Sequence, residues 1–194
     1  KVTNRSEKEK FEITVTANSV KATYDGKEHE AAGFETTEFT VNKQKYTVSG
    51  LTTESPKKTN AGTYTNNISG TAVVKDKAGN DVTAQFTVKT ENGNLVINKR
   101  SVTLTSEGGT KPYDGTALTN DKVTVGGEKF AEGEGAAYTV TGSQTLVGSS
   151  DNEFTYTLND GTNADNYTIK QVYGTLKVTN RSEKEKFEIT VTAN

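Results

Sequence analysis

Residues 1–18 and 177–194 are the same string, KVTNRSEKEKFEITVTAN, without one substitution. Unrelated segments do not agree over that length, and drifting repeats accumulate differences. The chain reads as one 176-residue period of a tandem array plus the start of the next period. It is accordingly expected to be a fragment of a longer protein. Long, nearly identical repeats belong to proteins whose job depends on length or on multivalent display.

With 30% hydrophobic residues in 194, one large core is poorly supplied. Two domains of roughly 80–95 residues fit better. The chain has no Cys, so disulfides and thiolate metal sites are excluded. Its formal net charge is −2, with both signs mixed and no basic stripe, which excludes nucleic acid as the expected partner. No apolar run approaches the roughly 20 residues that span a bilayer, so this fragment is not expected to insert into a membrane. Thr, Gly, Asn and Asp are frequent among β-branched and aromatic residues, a composition of short strands and many turns.

Residues 1–10 read as the end of a preceding repeat plus a charged joint. Ser6 and Glu9 have capping-box spacing, but Ser6–Lys10 is taken as a joint rather than a helix. Phe11, Ile13, Val15 and Ala17 alternate with polar residues, a half-buried strand that opens a first domain over 11–100. Val82–Val88 alternates in the same way, and Asn92-Gly93 reads as a tight turn. A second domain over 101–181 repeats the scheme. Lys111-Pro112-Tyr113-Asp114-Gly115 answers Ala22-Thr23-Tyr24-Asp25-Gly26, Tyr138–Gly142 answers Tyr46–Gly50, and Gly174–Arg181 answers Gly93–Arg100. Gly126–Gly135 reads as a flexible acidic loop. Residues 182–194 are the next joint and a first strand, Phe187–Asn194, of a further repeat. The expected class is all-β: two tandem small β-sandwich or Ig-like domains in an elongated array. The alternative is a pair of β-grasp-like domains with one short helix at 31–40 or 117–123.

These paired motifs resemble the YDG and MBG repeat families of bacterial, Gram-positive surface adhesins. Lys111–Thr116 is similar to the families' opening signature, and Ala164-Asp165-Asn166-Tyr167-Thr168-Ile169 to their late strand motif. In the first domain the matches are Tyr24-Asp25-Gly26 and Asn60-Ala61-Gly62-Thr63-Tyr64. The resemblance implies a secreted, wall-anchored parent protein with all-β modules in a stalk or adhesive region. It carries over no catalytic residue. The first domain departs from it, with Ala22-Thr23 in place of Lys-Pro.

The residues give the same answer about chemistry. His29 is the lone histidine, in the charged run Lys27–Glu30, and reads as part of a solvated face. Asp76–Asp81 and Asn159–Asn166 are oxygen-rich but lack the distal Glu of an EF-hand, and the 126–135 loop is no phosphate loop. The expectation is therefore no catalytic residue, no metal site, no cofactor and no enzyme. A Lys–Asn isopeptide cross-link stays open, since both residue types are abundant. The expected function is a non-enzymatic stalk segment at the cell surface that projects a distal binding region, partnered end to end by neighbouring repeats. The alternative is a module that itself binds host glycan or matrix protein.

Overall fold

The structure is a computed structural model that describes residues 4–192. It is all-β, and the chain divides into two compact units, Lys1–Lys99 and Arg100–Asn194. The boundary lies one residue before the expected one, because Arg100 already pairs with Tyr167. The first unit contains β1 (Phe11–Thr16), β2 (Val20–Thr23), β3 (His29–Glu30), β4 (Glu38–Val41) and β5 (Gln44–Thr53). It continues with β6 (Lys57–Lys58), β7 (Gly62–Asn66), β8 (Ile68–Asp76), β9 (Phe86–Glu91) and β10 (Gly93–Asn98). The second holds β11 (Arg100–Ser106), β12 (Gly109–Pro112), β13 (Val123–Gly127) and β14 (Ala136–Val140). After these come β15 (Gly148–Asp151), β16 (Phe154–Leu158), β17 (Tyr167–Val172) and β18 (Thr175–Thr179). Neither 31–40 nor 117–123 is helical, and the helical turns among the described residues are single 3-10 turns. The β-grasp alternative with a short helix is thereby corrected. Neither stretch carries a 3.6-residue apolar period, and Gly33 adopts a φ of +72° inside the first.

One device organises both units. In the first, β1 runs parallel to β9 over six residue pairs and β2 runs parallel to β10 over four, both at an offset of 75 residues (Phe11 to Phe86, Val20 to Leu95). In the second, β11 pairs with β17 and β12 with β18, again six and four parallel pairs, at a constant offset of 67. Residues 11–23 thus lie beside 86–98, and 100–112 beside 167–179, each in one register, although the two halves of each ladder belong to different sheets. Between the halves the strands change sheet at a point where the backbones nearly touch. A Cβ on Gly93 would lie 2.5 Å from the Ala17 carbonyl oxygen and closer still to that of Asn18; one on Gly174 would lie 2.5 Å from the Ser106 carbonyl oxygen. Only a residue without a side chain lets the strands cross there. Asn92-Gly93, expected as a turn, is therefore the crossing point of two extended strands. The dipeptide signals a turn only when left-handed angles follow, and Gly93 has none.

Alternation supplies the core. Ile13, Val15 and Phe86 of the β1–β9 sheet bury against Val48 and Val74 of the β4-β5-β8 sheet. The Phe86 ring meets Tyr46 edge-on at 4.8 Å. In the second unit Val102, Leu104, Phe154, Leu176 and Val178 are buried. Alternation misplaces the start of β9: residues 83–85 form a 3-10 turn, and the strand begins at Phe86. The expected flexible loop after Gly126 is tied down instead. Arg100 donates to the Lys129 and Glu128 carbonyls at 2.8 and 2.6 Å, and the Tyr167 hydroxyl accepts from the Ala131 N–H and donates to Glu134.

The repeated sequence behaves as two separable pieces. Around Ser6 the joint forms one 3-10 turn, with the Glu9 carboxylate accepting from the Ser6 hydroxyl at 2.7 Å and the Arg5 guanidinium over the Phe11 ring. The same contacts recur at Ser182, Glu185, Arg181 and Phe187. The joint's shape is written locally. The strand is not: residues 11–16 form β1, whereas 187–192, with the same sequence, form no strand. This corrects the expected strand at 187–194, of which residues 193 and 194 lie outside the described residues. The closing strand expected over 1–5 falls largely on residues 1–3, also outside them. Asn4 and Arg5 hydrogen-bond to Gln85.

Candidate functional site

The Tyr-Asp-Gly turns are the motif that both units share. Each follows the last ladder pair, where the Tyr24 N–H donates to the Asn98 carbonyl and the Tyr113 N–H to that of Thr179, both at 2.9 Å. Asp25 Oδ1 accepts the Lys27 N–H and Asp114 Oδ1 the Thr116 N–H, again both at 2.9 Å. The glycines take φ of +80° and +81°. A side-chain carboxylate that mimics a backbone carbonyl, followed by a left-handed glycine, is a complete explanation of the motif as a turn. Tyr24 is buried and Tyr113 half-buried.

The turns differ in the side chain that reaches the Asp carboxylate. His29 Nε2 sits 3.0 Å from Asp25 Oδ1, half-buried in β3 rather than on the solvated face expected for it. His29 pairs with Lys58 across β3 and β6, which fixes its backbone four residues beyond Asp25. In the second unit Lys111 Nζ is 2.9 Å from Asp114 Oδ1 and 2.7 Å from the Thr116 hydroxyl. The Lys27 N–H first, then His29, hold Asp25 below the usual carboxylate range. Asp114 is held well below it, by Lys111 first and then by Thr116. These carboxylates are spent on the turn, and neither is poised to exchange protons near neutral pH.

The oxygen-rich loop at Asp76 is likewise closed by its own donors. Oδ1 accepts the N–H groups of Ala78 and Asn80, and Oδ2 accepts the Asn80 side chain, each at 2.9 Å. Among the described residues no three His, Cys, Asp or Glu side chains gather as a metal site. The buried amides Asn66 and Asn152 point to backbone rather than to lysine. Asn66 Nδ2 donates to the Asn18 carbonyl at 3.2 Å; Asn152 Nδ2 donates to the Glu107 and Asn120 carbonyls at 2.8 and 2.7 Å. They sit beside the two strand crossings, where the Asn18 and Glu107 carbonyls lose ladder partners to the sheet change, and Asn152 also ties in the Asn120 carbonyl of the loop before β13. Sequence reasoning missed both, since an asparagine in an asparagine-rich chain advertises nothing.

Two shallow grooves lie on the first unit. One, of 330 Å³, is lined by Glu38, Tyr46, Lys75 and Asp76; the other, of 480 Å³, by Glu54, Pro56, Lys58 and Tyr64. Tyr64 stands opposite Leu95, and the residue in its place opposite Leu176 is Ser150, so the second groove loses its aromatic wall in the other unit. No helix among the described residues is long and apolar enough to cross a membrane.

The sequence matches no protein-family model and no curated protein. Among solved structures, the N-terminal part of the bacterial S-layer protein SbsC is similar over 87% of this chain and 45% of that one, at 18% identity and a TM-score of 0.23. The chain spans less than half the length of that structure, and a likeness of this size bears on neither fold nor role.

Proposed function

We propose that the chain is a pair of load-spanning stalk units from a tandem-repeat adhesin of a bacterial cell surface, of the YDG/MBG type, with no enzymatic role. The observation that supports this is the constant-register parallel ladder in each unit. Because opening and closing strands run the same way, the chain arrives at one end of each unit and leaves at the opposite end. Lys99 alone separates β10 from β11, so the link inside the pair is one residue long. The identical joints at 4–11 and 180–187 keep one local geometry, which suits repetition.

Thirteen ladder residues at about 3.3 Å each give a ladder of about 40 Å in each unit. A stalk segment requires a radius of gyration well above the about 16 Å of a compact particle of this size. Small-angle scattering on the chain tests the proposal, and a value near the compact one would refute it. The alternative reading, direct binding of host glycan or matrix protein, calls for the same aromatic groove in both units. The exchange of Tyr64 for Ser150 weighs against that.

A further inference from the structure

The doubled string places one joint in two settings. At its first copy the joint meets the unit that follows it. The Arg5 N–H donates to Gln85 Oε1 at 3.2 Å, and Gln85 Nε2 donates to Asn4 Oδ1 at 2.9 Å. The Arg5 guanidinium lies 4.2 Å from the centroid of Phe11, whose ring packs on Phe86 at 5.6 Å. At its second copy the joint meets the unit that precedes it. Arg181 Nη1 donates to the Tyr113 carbonyl at 3.0 Å, and the Thr179 hydroxyl donates to that of Lys111 at 3.4 Å. Gln85 thus ties the joint to a following unit, and Tyr113 ties it to a preceding one.

The two sets of contacts use different groups. Toward the following unit they are a backbone N–H, the asparagine side chain and the face of the guanidinium. Toward the preceding unit the group is an edge of the guanidinium. At Arg5, Nη1 donates to the Glu9 carbonyl; at Arg181, Nε donates to the matching Glu185 carbonyl and Nη1 is the donor to Tyr113. A planar fork of N–H groups lets the edge hold both carbonyls while the face covers the ring. The turn itself is the same in both copies. Ser6 and Ser182 have φ/ψ of −66°/157° and −64°/158°, and Lys10 and Lys186 pair with Glu7 and Glu183, each at 2.6 Å. The joint therefore keeps its shape in either setting, and one joint can carry both sets at once.

We infer that Asn180 and Arg181 form a two-sided clasp between successive periods. Arg181 holds the Tyr113 carbonyl of its own unit, while Asn180 and the Arg181 N–H hold the Gln85 of the next copy of the first unit. This rests on the tandem-repeat reading and adds to it the residues that fix one repeat against the next. Without these bonds the joint is a hinge; with them it is a corner of set angle.

The test uses the chain carried one unit further, residues 1–194 followed by a second copy of 19–99. The chain has no cysteine, so thiols introduced at exposed positions, Thr157→Cys and Thr63→Cys in the added copy, take spin labels without background. Pulsed electron paramagnetic resonance then reads the distribution of distances across the joint. The expected result is one narrow distribution, which Arg181→Ala broadens by about twofold or more, toward the spread of a flexible linker. Gln85→Ala in the added copy broadens it as well. That variant leaves Arg181 and the second unit intact, so damage to the second unit cannot imitate the effect. A starting distribution as broad as that of a chain with Gly and Ser through 180–186 overturns the clasp. So does a narrow distribution that either substitution leaves unchanged. The scattering measurement on the 194-residue chain decides the stalk separately, since a stiff joint in a compact chain would keep the clasp and discard the stalk.

Discussion

Substitution of Gly93 by alanine tests the strand crossing through the sign of its effect. A Cβ there would sit 2.5 Å from the Ala17 carbonyl oxygen and nearer to that of Asn18, where ordinary contact begins at 3.4 Å. The obstacles are backbone atoms of the opening strand, which no rotamer change can move. Relief requires parting the two ladders at the crossing, beside the Ala17 N–H bond to the Glu91 carbonyl. Overpacking costs about 1–3 kcal/mol, and each ladder bond lost adds about 1 kcal/mol. The expected loss is about 3 kcal/mol, confined to the first unit. For a unit of this size that lowers its melting temperature by about 12–24 °C. Differential scanning calorimetry would then show one transition displaced and the other, from the second unit, in place. Gly93 does not use left-handed angles, so without the clash alanine would stabilise by about 0.4–1 kcal/mol through the unfolded chain. An unchanged or raised melting temperature refutes the crossing. Gly115→Ala is the contrast: nothing lies within 4 Å, φ is +81°, and the cost is about 1–2 kcal/mol from backbone strain alone.

Asn152→Leu removes the donors to the Glu107 and Asn120 carbonyls and leaves two half-buried acceptors unmet. Chemical denaturation should show the second unit destabilised by about 2–4 kcal/mol, and a loss below about 1 kcal/mol would mean those carbonyls are satisfied otherwise. Acid should weaken both units. Asp25, Asp76, Asp81 and Asp114 are held below the usual carboxylate range in the folded chain, so the stability they contribute is present above the unfolded value near 4 and is lost as pH falls through the folded values. Asp114→Asn should flatten the acid limb of the second unit's melting temperature between about pH 4 and 2; an unchanged limb would remove Asp114 from that account.

The turns were legible because their chemistry is local. Asp25-Gly26 and Asp114-Gly115 carry acceptor and left-handed glycine side by side, and both form the turn that the residues describe. The alternating run Phe11–Thr16 was legible as a strand for a similar reason. What the alternation lacked was the partner, which lies 75 residues away. The comparison with 187–192 shows how much that matters, since the same residues without β9 beside them form no strand. Asn92-Gly93 misled because one dipeptide serves two geometries, and only the approach of Ala17 and Asn18 selects between them. Asn66 and Asn152 answer carbonyls exposed by a sheet change that no window of sequence contains. His29 owes its place to pairing with Lys58 across β3 and β6, again a distant partner.

The parallel ladder also decides how a unit responds to force. Tension applied to the two ends of either unit pulls the N-terminal end of its opening strand and the C-terminal end of its closing strand in opposite directions along the strand axis. An antiparallel pair pulled at adjacent ends peels open one bond after another. Here the load runs across the hydrogen bonds of the six-pair and four-pair segments together, so they share it and yield in concert. The crossing at Gly93 or Gly174 adds a second lock, since the strands cannot slide by one residue without driving a side chain into backbone.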